Sequence, residues 1–430
     1  KPLPALLAAL QHVLAAFVGI ITPPLIIGST LGLAAHLPYL ISMALMVSGV
    51  GTFIQARRPF GIGAGMICLQ GTSFAFLGAV LSAGFLVKQR GGSPEDILAM
   101  IFGVCFFGAA VQIVLSRFIG QLRRVITPLV TGIVVLLIGL TLIKVGLISM
   151  GGGFGAMASG TFASAENLTL SGLVLGTIIL LNRVPVVWIR STALVLALAV
   201  GYIAAAYMGR LDFTGAREAA LFQVPMPLHF GLGFSWALFV PMLIIYLVTS
   251  LEAIGDVTAT SKVSKEPVEG PLWMQRIKGG VLVNGANSLL AGVFNTFPSS
   301  VFAQNNGVIQ LTGIASRHVG VWIAGMLILL GLFPAVAGVL QAVPEPVLGG
   351  AAMVMFGAVA ASGINILAGI HLDRRALLII AVSLALGLGV SQVPEILSHL
   401  PPSVKSVLES GVATGGICAL VMNWFLPEKK

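Results

Sequence analysis

The sequence has too little charge to form an ordinary water-soluble protein. Only 9% of its 430 residues are charged, whereas soluble domains average roughly a quarter. Hydrophobic residues make up 57%, and the mean hydropathy is +1.04. A globule of this size could not cover its surface with so few polar groups, so most of its exterior must face lipid. The composition therefore excludes a soluble enzyme or binding module and predicts a polytopic membrane protein.

Cysteine is also scarce, and its spacing carries no covalent or metal-binding pattern. Cys68, Cys105 and Cys418 lie far apart within apolar stretches. We expect neither a disulfide framework nor a zinc site and interpret them as small core residues.

The chain opens into an apolar segment without a small-residue cleavage motif, which predicts a retained first span. The net charge of +9 does not indicate a nucleic-acid partner, because the basic residues occupy short gaps between apolar runs.

Apolar runs long enough to cross the hydrocarbon core of a bilayer occur about fourteen times. The predicted spans cover residues 5–28, 37–55, 60–86, 97–116, 125–147, 169–182, 191–208, 234–256, 279–296, 299–315, 319–342, 346–367, 375–393 and 410–426. The gaps after even-numbered spans carry fourteen lysines and arginines, against six after odd-numbered spans. By the positive-inside rule, the even loops and both termini lie in the cytoplasm.

Two of these spans are unusually polar and rich in glycine for membrane segments. Residues 69–74 of span three are Leu-Gln-Gly-Thr-Ser-Phe, and residues 302–307 of span ten are Phe-Ala-Gln-Asn-Asn-Gly. With seven spans in each half, the second half inserts upside down and span three corresponds to span ten. We therefore predict two inverted seven-span repeats, with broken helices or short strands in these two spans. Hydrogen bonding between helices is the alternative explanation for either segment alone.

Glu252 and Asp256 are the only two of the fourteen acidic residues that lie deep at the end of a long apolar run. Their spacing of four places both carboxylates on one helix face. Loss of water and mutual repulsion would favour a proton on at least one of them, which is how a coupling proton can be carried. The alternative is structural: hydroxyls and amides satisfy the carboxylates, or Asp256, which is nearer the basic loop, reaches water at a helix end.

Gln304 offers complementary chemistry in span ten. Its amide presents an acceptor and two donors, whereas a carboxylate presents acceptors only, so Gln304 and Glu252 together could bind a heterocycle through its N–H and carbonyl groups. Such a site rejects analogues that leave a buried polar atom unpaired. Capping of a broken helix is the competing interpretation, and we prefer it for Asn306 and Gly307, since both suit special backbone geometry.

Several motifs together resemble the nucleobase-ascorbate transporter family, and bacterial xanthine permeases in particular. Residues 304–313 (QNNGVIQLTG) resemble the family signature, and residues 251–260 (LEAIGDVTAT) resemble its eighth span. Gln11 and His12, followed by residues 21–24 (ITPP), resemble its first span. Residues 123–128 and 151–154 also fit, so the resemblance covers nearly the whole chain.

The resemblance implies a fold, an assembly and a function. A core domain of spans one to four and eight to eleven, here residues 1–120 and 231–343, would move as an elevator against a gate domain, residues 121–230 and 344–430. The gate would form a homodimer. The implied function is proton-coupled import of a purine nucleobase, xanthine before others, across a bacterial inner membrane. Neither catalysis nor a cofactor or metal is expected, and the partners would be substrate and membrane lipid.

The resemblance also implies roles for single residues. The residues expected to contact or border the purine are Glu252, Gln304, Phe74, Ser73, Ala303 and Asn305. Glu252 and Asp256 would couple the proton, and Asp256 stands where uracil-transporting relatives have a histidine. The residues expected to support the site are His12, Asn284, Asn306, Gly307 and Thr312. For His12, a satisfied packing role is an equal alternative.

The sequence departs from the family pattern at Asn284, because several xanthine transporters carry an aspartate at the corresponding place in span nine. Either proton coupling rests on Glu252 and Asp256 alone, or the span-nine residue is structural and an amide can replace it.

Two other functions fit parts of the pattern. Anion carriers of the sulfate or bicarbonate kind share the inverted plan. Their sites should pair helix N-termini with a buried cation, whereas Glu252 has no buried lysine or arginine nearby in the sequence. An intramembrane enzyme that holds Mg²⁺ would need several converging carboxylates, and the remaining acids lie mostly in loops or near span ends.

Overall fold

The computed structural model is a helical membrane protein. It describes residues 2–122, 127–186, 189–190, 192–211, 222–302, 305–306, 308–309, 313–333, 342–400, 404–405, 408 and 411–426. Within these residues, eight helices are long and apolar enough to cross a membrane, and four shorter apolar helices accompany them. The predicted polytopic helical class is therefore confirmed, while the total of fourteen spans and the inverted repeat stay predictions.

The first half of the chain contains eight helices and one strand in its described residues. In chain order they are α1 (Pro2–Leu31), α2 (Leu37–Arg57), β1 (Gln70–Thr72), α3 (Leu77–Gln89), α4 (Pro94–Leu122), α5 (Pro128–Met150), α6 (Gly153–Ser159), α7 (Ala165–Arg183) and α8 (Ala193–Tyr207). Each helix overlaps a predicted span except the short α6. It begins where Gly152 and Gly153 adopt positive φ angles of 110° and 80°, which glycine permits without strain.

The described part of the second half contains six helices and one strand. They are α9 (Trp236–Val263), α10 (Gly270–Val293), β2 (Ser299–Val301), α11 (Arg317–Leu332), α12 (Glu345–Ala368), α13 (Arg374–Gln392) and α14 (Gly411–Phe425). α9 extends further along the chain than predicted, beyond residue 256. α10 begins earlier than predicted, at Gly270.

A pair of short strands lies at the breaks predicted in spans three and ten, β1 within residues 69–74 and β2 immediately before residues 302–307. β1 and β2 are antiparallel, with Gln70 opposite Val301 and Thr72 opposite Ser299. Three-residue strands form few ladder bonds, and side chains of neighbouring helices add others. The Gln70 main-chain N–H donates to Thr52 Oγ1 of α2 (2.9 Å), and the Ser299 N–H donates to Ser288 Oγ of α10 (3.1 Å). The strand pair is therefore attached on both sides, β1 to α2 and β2 to α10.

Small residues allow the helices to pack closely. This is expected in a membrane, because apolar side chains gain little free energy when they exchange lipid for contact with another helix. A Cβ atom on Gly331 of α11 would lie 2.6 Å from the main-chain oxygen of Ser42 on α2. A Cβ atom on Gly139 of α5 would lie 2.6 Å from the Cα atom of Ala360 on α12. Larger side chains at these positions would push the helix pairs apart.

The helices pack mainly in two groups. One contains α1, α2, α4, α9, α10 and α11, and the other contains α5, α7, α8, α12, α13 and α14. Residues 222–233, most of which we assigned to the gate, hydrogen-bond to the first group: Gln223 N–H donates to Leu332 O, Leu228 N–H to Val293 O, and Gly233 N–H to Ala99 O. The division into a moving core and a gate stays a prediction, and these bonds attach residues 222–233 to the first group of helices.

Candidate functional site

A cavity of about 430 Å³ lies between the two groups of helices. One wall, which we call the core wall, comes from α9, β2 and the residues that follow the strands; the other, the gate wall, comes from α5 and α12. The described residues of the core wall are Phe74, Ala75, Glu252, Gly255, Asp256, Ala259, Ser300, Val301, Phe302 and Asn306. Those of the gate wall are Thr131, Val135, Ile138, Ala358, Val359, Asn365 and Ile366.

The two predicted acids both lie on the core wall. Glu252, Asp256 and Ala259 form one stripe of α9, as their helical spacing requires. α9 continues to Val263, so Asp256 does not lie at a helix end. The Glu252 Oε2 atom is buried and has no hydrogen-bond partner among the described residues. The structural alternative, a carboxylate satisfied by its neighbours, therefore does not account for this oxygen.

Two aromatic rings also line the core wall. The Phe74 ring, predicted from the sequence, meets Phe356 of α12 edge to face, with ring centroids 5.5 Å apart and an interplanar angle of 82°. The Phe302 ring lies against Gly19 of α1 and Gly71 of β1, where the missing side chains leave room for it. Phe302 was not among the predicted site residues. Its place immediately before Ala303 and Gln304 in a polar span was the signal that could have found it.

Asn306 lines the cavity, whereas Asn305 and His12 lie behind the core wall. Asn305 and His12 are fully buried, and His12 Nδ1 lies 3.0 Å from Asn305 Oδ1, where it can donate a hydrogen bond. The Asn306 Oδ1 atom accepts from the Thr260 hydroxyl at 2.8 Å. Asn305 thus contacts α1, and Asn306 connects span ten to α9.

Ser73 and Asn284 are also buried behind the cavity surface. Ser73 donates its main-chain N–H to Pro298 O (2.9 Å), which extends the contact between the strands towards Phe74. Asn284 Oδ1 accepts from Gln70 Nε2 at 2.7 Å, so the span-nine amide contacts β1 and is not among the residues that line the cavity.

Four predicted site residues lie outside the described part of the chain. They are Ala303, Gln304, Gly307 and Thr312. Their proposed contacts with substrate, and the support expected from Gly307 and Thr312, stay predictions.

The gate wall was not predicted residue by residue. Its only described polar side chains are Thr131 and Asn365, and the others are apolar. No motif or ionisable group marks them in the sequence, because an apolar residue that faces a cavity looks the same as one that faces lipid. Only the packing of α5 against α12 brings them opposite Glu252.

The arrangement suits a flat, neutral heterocycle. Aromatic faces bind planar rings, and the Glu252 oxygen that lacks a partner within the described part of the chain can accept a ring N–H. No lysine or arginine is among the described residues that line the cavity, so they offer an anion no opposite charge. The described residues also contain no group of three histidine, cysteine or acidic side chains that could hold a metal ion.

The chain is similar along its length to proteins named as permeases. It is 52% identical to the xanthine permease XanP of Escherichia coli K12, with 100% of this chain and 93% of that protein aligned. It is 45% identical to the xanthine permease XanQ of the same strain, over 98% of this chain and 91% of XanQ. It is 36% identical to the uric acid permease PucJ of Bacillus subtilis 168, over 98% and 93% of the two chains.

Solved structures of other transporters share the fold. The transmembrane domain of the cyanobacterial bicarbonate transporter BicA superposes with a TM-score of 0.61 at 17% identity, covering 94% of this chain and 97% of that one. The murine anion transporter Slc26a9 in its inward-facing state gives a TM-score of 0.63 at 13% identity, covering 98% and 68%. At these identities the likeness concerns the fold alone.

A family profile described as a permease family matches residues 4–396, which is most of the chain. The match agrees with the signature in span ten and with the full-length similarity to the named permeases. This chain is therefore a permease, not an enzyme, and it belongs to the nucleobase-ascorbate transporter family.

Proposed function

We propose that this permease imports a purine nucleobase, xanthine first among the candidates, together with protons. The observation that carries the proposal is the buried Glu252 Oε2 atom, which has no hydrogen-bond partner among the described residues and lies at a cavity that Phe74 and Phe302 also line. The names of its relatives, two xanthine permeases and a uric acid permease, support the same substrate class.

The polar groups of the core wall complement a purine edge. Glu252 and Asp256 offer acceptors to ring N–H groups, and the Asn306 amide can donate to a carbonyl oxygen. The prediction that the Gln304 amide also binds the purine is part of this proposal. A buried site of this kind discriminates strongly, because an analogue that lacks one N–H or carbonyl leaves a protein group unpaired. We assign Ala303 to the same binding segment, whereas Ser73 and Asn305, which are buried behind the core wall, support it.

The charge of the site supports the proposed proton coupling. Two carboxylates on one face of α9 border a cavity whose described lining contains no basic side chain, so a proton is the simplest neutralising partner. We assign this role to Glu252 together with Asp256. Asn284 does not border the cavity, which favours a structural role for the span-nine residue.

The position of the cavity supports an elevator movement. It lies between the core wall and the gate wall, so movement of one helix group along the other would carry a bound purine across the membrane. We further propose a homodimer formed through the gate, in a bacterial inner membrane, with both termini in the cytoplasm.

Uptake of radiolabelled xanthine by cells that lack their own purine carriers tests the function. We expect accumulation that collapses with a protonophore and that competing purines, but not uracil, reduce. Equal accumulation with and without the protonophore would contradict proton coupling while retaining purine transport. Absence of uptake of every nucleobase, in cells with well-expressed protein, would contradict the proposal.

An anion carrier is the second candidate, and the shared fold with BicA and Slc26a9 is the observation in its favour. The carboxylates of the core wall argue against it, because they would repel a bicarbonate or sulfate ion. Uptake of labelled bicarbonate or sulfate by the same cells, in the absence of nucleobase uptake, would favour this alternative.

A further inference from the structure

A pair of buried amides lies behind the core wall, outside the cavity. Gln70 belongs to β1 and Asn284 to α10, and both side chains are fully buried. Gln70 Nε2 donates to Asn284 Oδ1 at 2.7 Å, although 214 residues separate them in the chain. Neither side chain ionises, so this contact can orient other groups but cannot carry charge.

The amide pair belongs to a set of bonds that attach the strands to α2 and α10. The Gln70 main chain donates to Thr52 Oγ1 of α2, and Asn287 Nδ2 donates to Ser299 Oγ of β2 at 2.7 Å. Among these bonds, the Gln70–Asn284 bond is the side-chain connection between β1 and α10. β2 has two attachments to α10, through Asn287 and Ser288.

The placement of both cavity rings depends on β1. Ser73 and Phe74 follow the strand directly, and Gly71, the residue after Gln70, forms the seat of the Phe302 ring. A displacement of β1 relative to α10 would therefore move Phe74 and remove support from Phe302 at the same time. Glu252, on α9, would stay in place.

The side-chain connection between β1 and α10 depends on the single hydrogen bond between Gln70 and Asn284. Gln70 Oε1 and Asn284 Nδ2 are buried and have no partner among the residues that the structure describes. Removal of either amide would leave the facing polar atom unpaired as well, and unpaired buried groups are costly. The pair is therefore a position at which one substitution can loosen one cavity wall.

We propose that Gln70 and Asn284 are positioning residues of the substrate site: their amide pair holds β1 against α10 and so sets the places of Phe74 and Phe302. The proposal rests on the proposed function to the extent that a purine occupies the cavity. Its ligand-free consequence, a β1 strand held in place by the pair, can be measured separately.

The first arm of the test measures purine uptake by Asn284→Leu, Gln70→Leu, their double variant and Asn284→Asp at matched membrane abundance. We expect each leucine variant to raise KM about tenfold, as the loss of one buried hydrogen bond predicts, and to alter the ranking of competing purines. The double variant should be no worse than the single ones, because both remove the same bond. Asn284→Asp should stay within about threefold of the unmodified protein, since a neutral carboxyl group presents an acceptor and a donor as the amide does.

The second arm needs no substrate. Cys68 lies two residues before Gln70 and is buried, so its labelling by a maleimide reports loosening of β1 in protein whose Cys105 and Cys418 are replaced by serine. Asn284→Leu and Gln70→Leu should raise the labelling rate at least about tenfold, in line with the loss of a buried bond. Gln112→Leu is the matched control, because it removes a buried amide between α4 and α9, away from the strands, and should leave Cys68 slow to react.

The two arms separate the possible failures. Fast labelling in the leucine variants, with no purine uptake by the unmodified protein, would support the positioning of β1 and contradict the proposed substrate. Slow labelling together with unchanged KM and purine ranking would overturn the positioning proposal. So would an Asn284→Asp variant as defective as Asn284→Leu. Reduced thermal stability with unchanged KM and ranking would show a purely structural pair and would also overturn it.

Discussion

The two walls of the cavity differ in chemistry. The core wall carries two carboxylates, an amide and two aromatic rings, whereas the gate wall is apolar apart from Thr131 and Asn365. Polar groups also lie behind the core wall, where Gln70, Asn284, His12 and Asn305 form two buried pairs. Behind the gate wall, α5 and α12 pack through glycines at close approach.

We infer from the difference that the core wall recognises substrate and that the gate wall permits the proposed movement. Directional hydrogen bonds select a substrate, but they would resist sliding if both walls made them. In the proposed elevator movement, an apolar gate wall would exclude water and let the core wall slide past it. Substitutions on the core wall should therefore change which molecule binds, whereas those on the gate wall should leave the choice unchanged.

The largest expected effect comes from Glu252→Gln. The substitution keeps the size of the side chain but removes its charge and its ability to release a proton, so concentrative xanthine uptake should fall at least about 100-fold. Uptake assays at matched membrane abundance measure it. Glu345→Gln is the control, because Glu345 lies away from the cavity beside Ser149 and should tolerate the change. Normal accumulation by Glu252→Gln would remove this residue from the site.

A slightly smaller effect is expected from Gln304→Ala. Loss of an amide that pairs with the purine should weaken binding about 100-fold, since the purine is left with an unpaired polar group. Competition by unlabelled purines against xanthine uptake measures the change in affinity. Gln310→Ala, in the same signature, provides the comparison. Equal loss in both variants would indicate damage to the segment and contradict a specific contact by Gln304.

Gly71→Ala should have an intermediate effect through Phe302. The added Cβ atom would lie 2.7 Å from the Phe302 Cε1 atom, so the ring must shift towards the cavity. Overpacking of this kind costs about 1–3 kcal/mol, and we expect KM for xanthine to rise about tenfold. Gly78→Ala is the control, since no neighbouring atom lies within 4 Å of its added Cβ atom. An unchanged KM in Gly71→Ala would show that the Phe302 ring does not contact substrate.

The smallest effect is expected on the gate wall. Val135→Ala shortens an apolar side chain without removing a polar contact, so KM should change by no more than about threefold and the ranking of competing purines should persist. Competition assays with xanthine, urate, guanine and hypoxanthine test this. A changed ranking would show that the gate wall also takes part in recognition, and the contrast between the walls would fail.

The sequence predicted much of the fold because membrane spans leave a strong local signal. The predicted spans of α2, α5, α12 and α13 match their helices closely, since apolar length and flanking charge are local properties. β1 lies within the polar residues 69–74, as predicted, whereas β2 lies immediately before the polar residues 302–307. The short helix α6 was missed, because its seven residues begin at the last of three consecutive glycines and form no apolar run long enough to stand out.

The site was predicted in part for the same reason. Glu252 and Asp256 stand out because ionisable groups are rare in apolar spans, and both line the cavity. The motifs also indicated Ser73, Asn305 and His12, but all three are buried and none is among the residues that line the cavity. Asn284 carries an amide that the sequence left without a partner, and the structure pairs it with Gln70.

The sequence by itself determined that this is a membrane protein, that two acids share one helix face, and that two of its spans are broken. The reason is that hydrophobic length, helical period and cost of burying charge act over short stretches of chain. Only the tertiary structure decided that Phe302 rests on Gly19 and Gly71, and that α5 and α12 complete the cavity. Those contacts join residues far apart in the chain, and they follow from how whole helices pack, which no local pattern encodes.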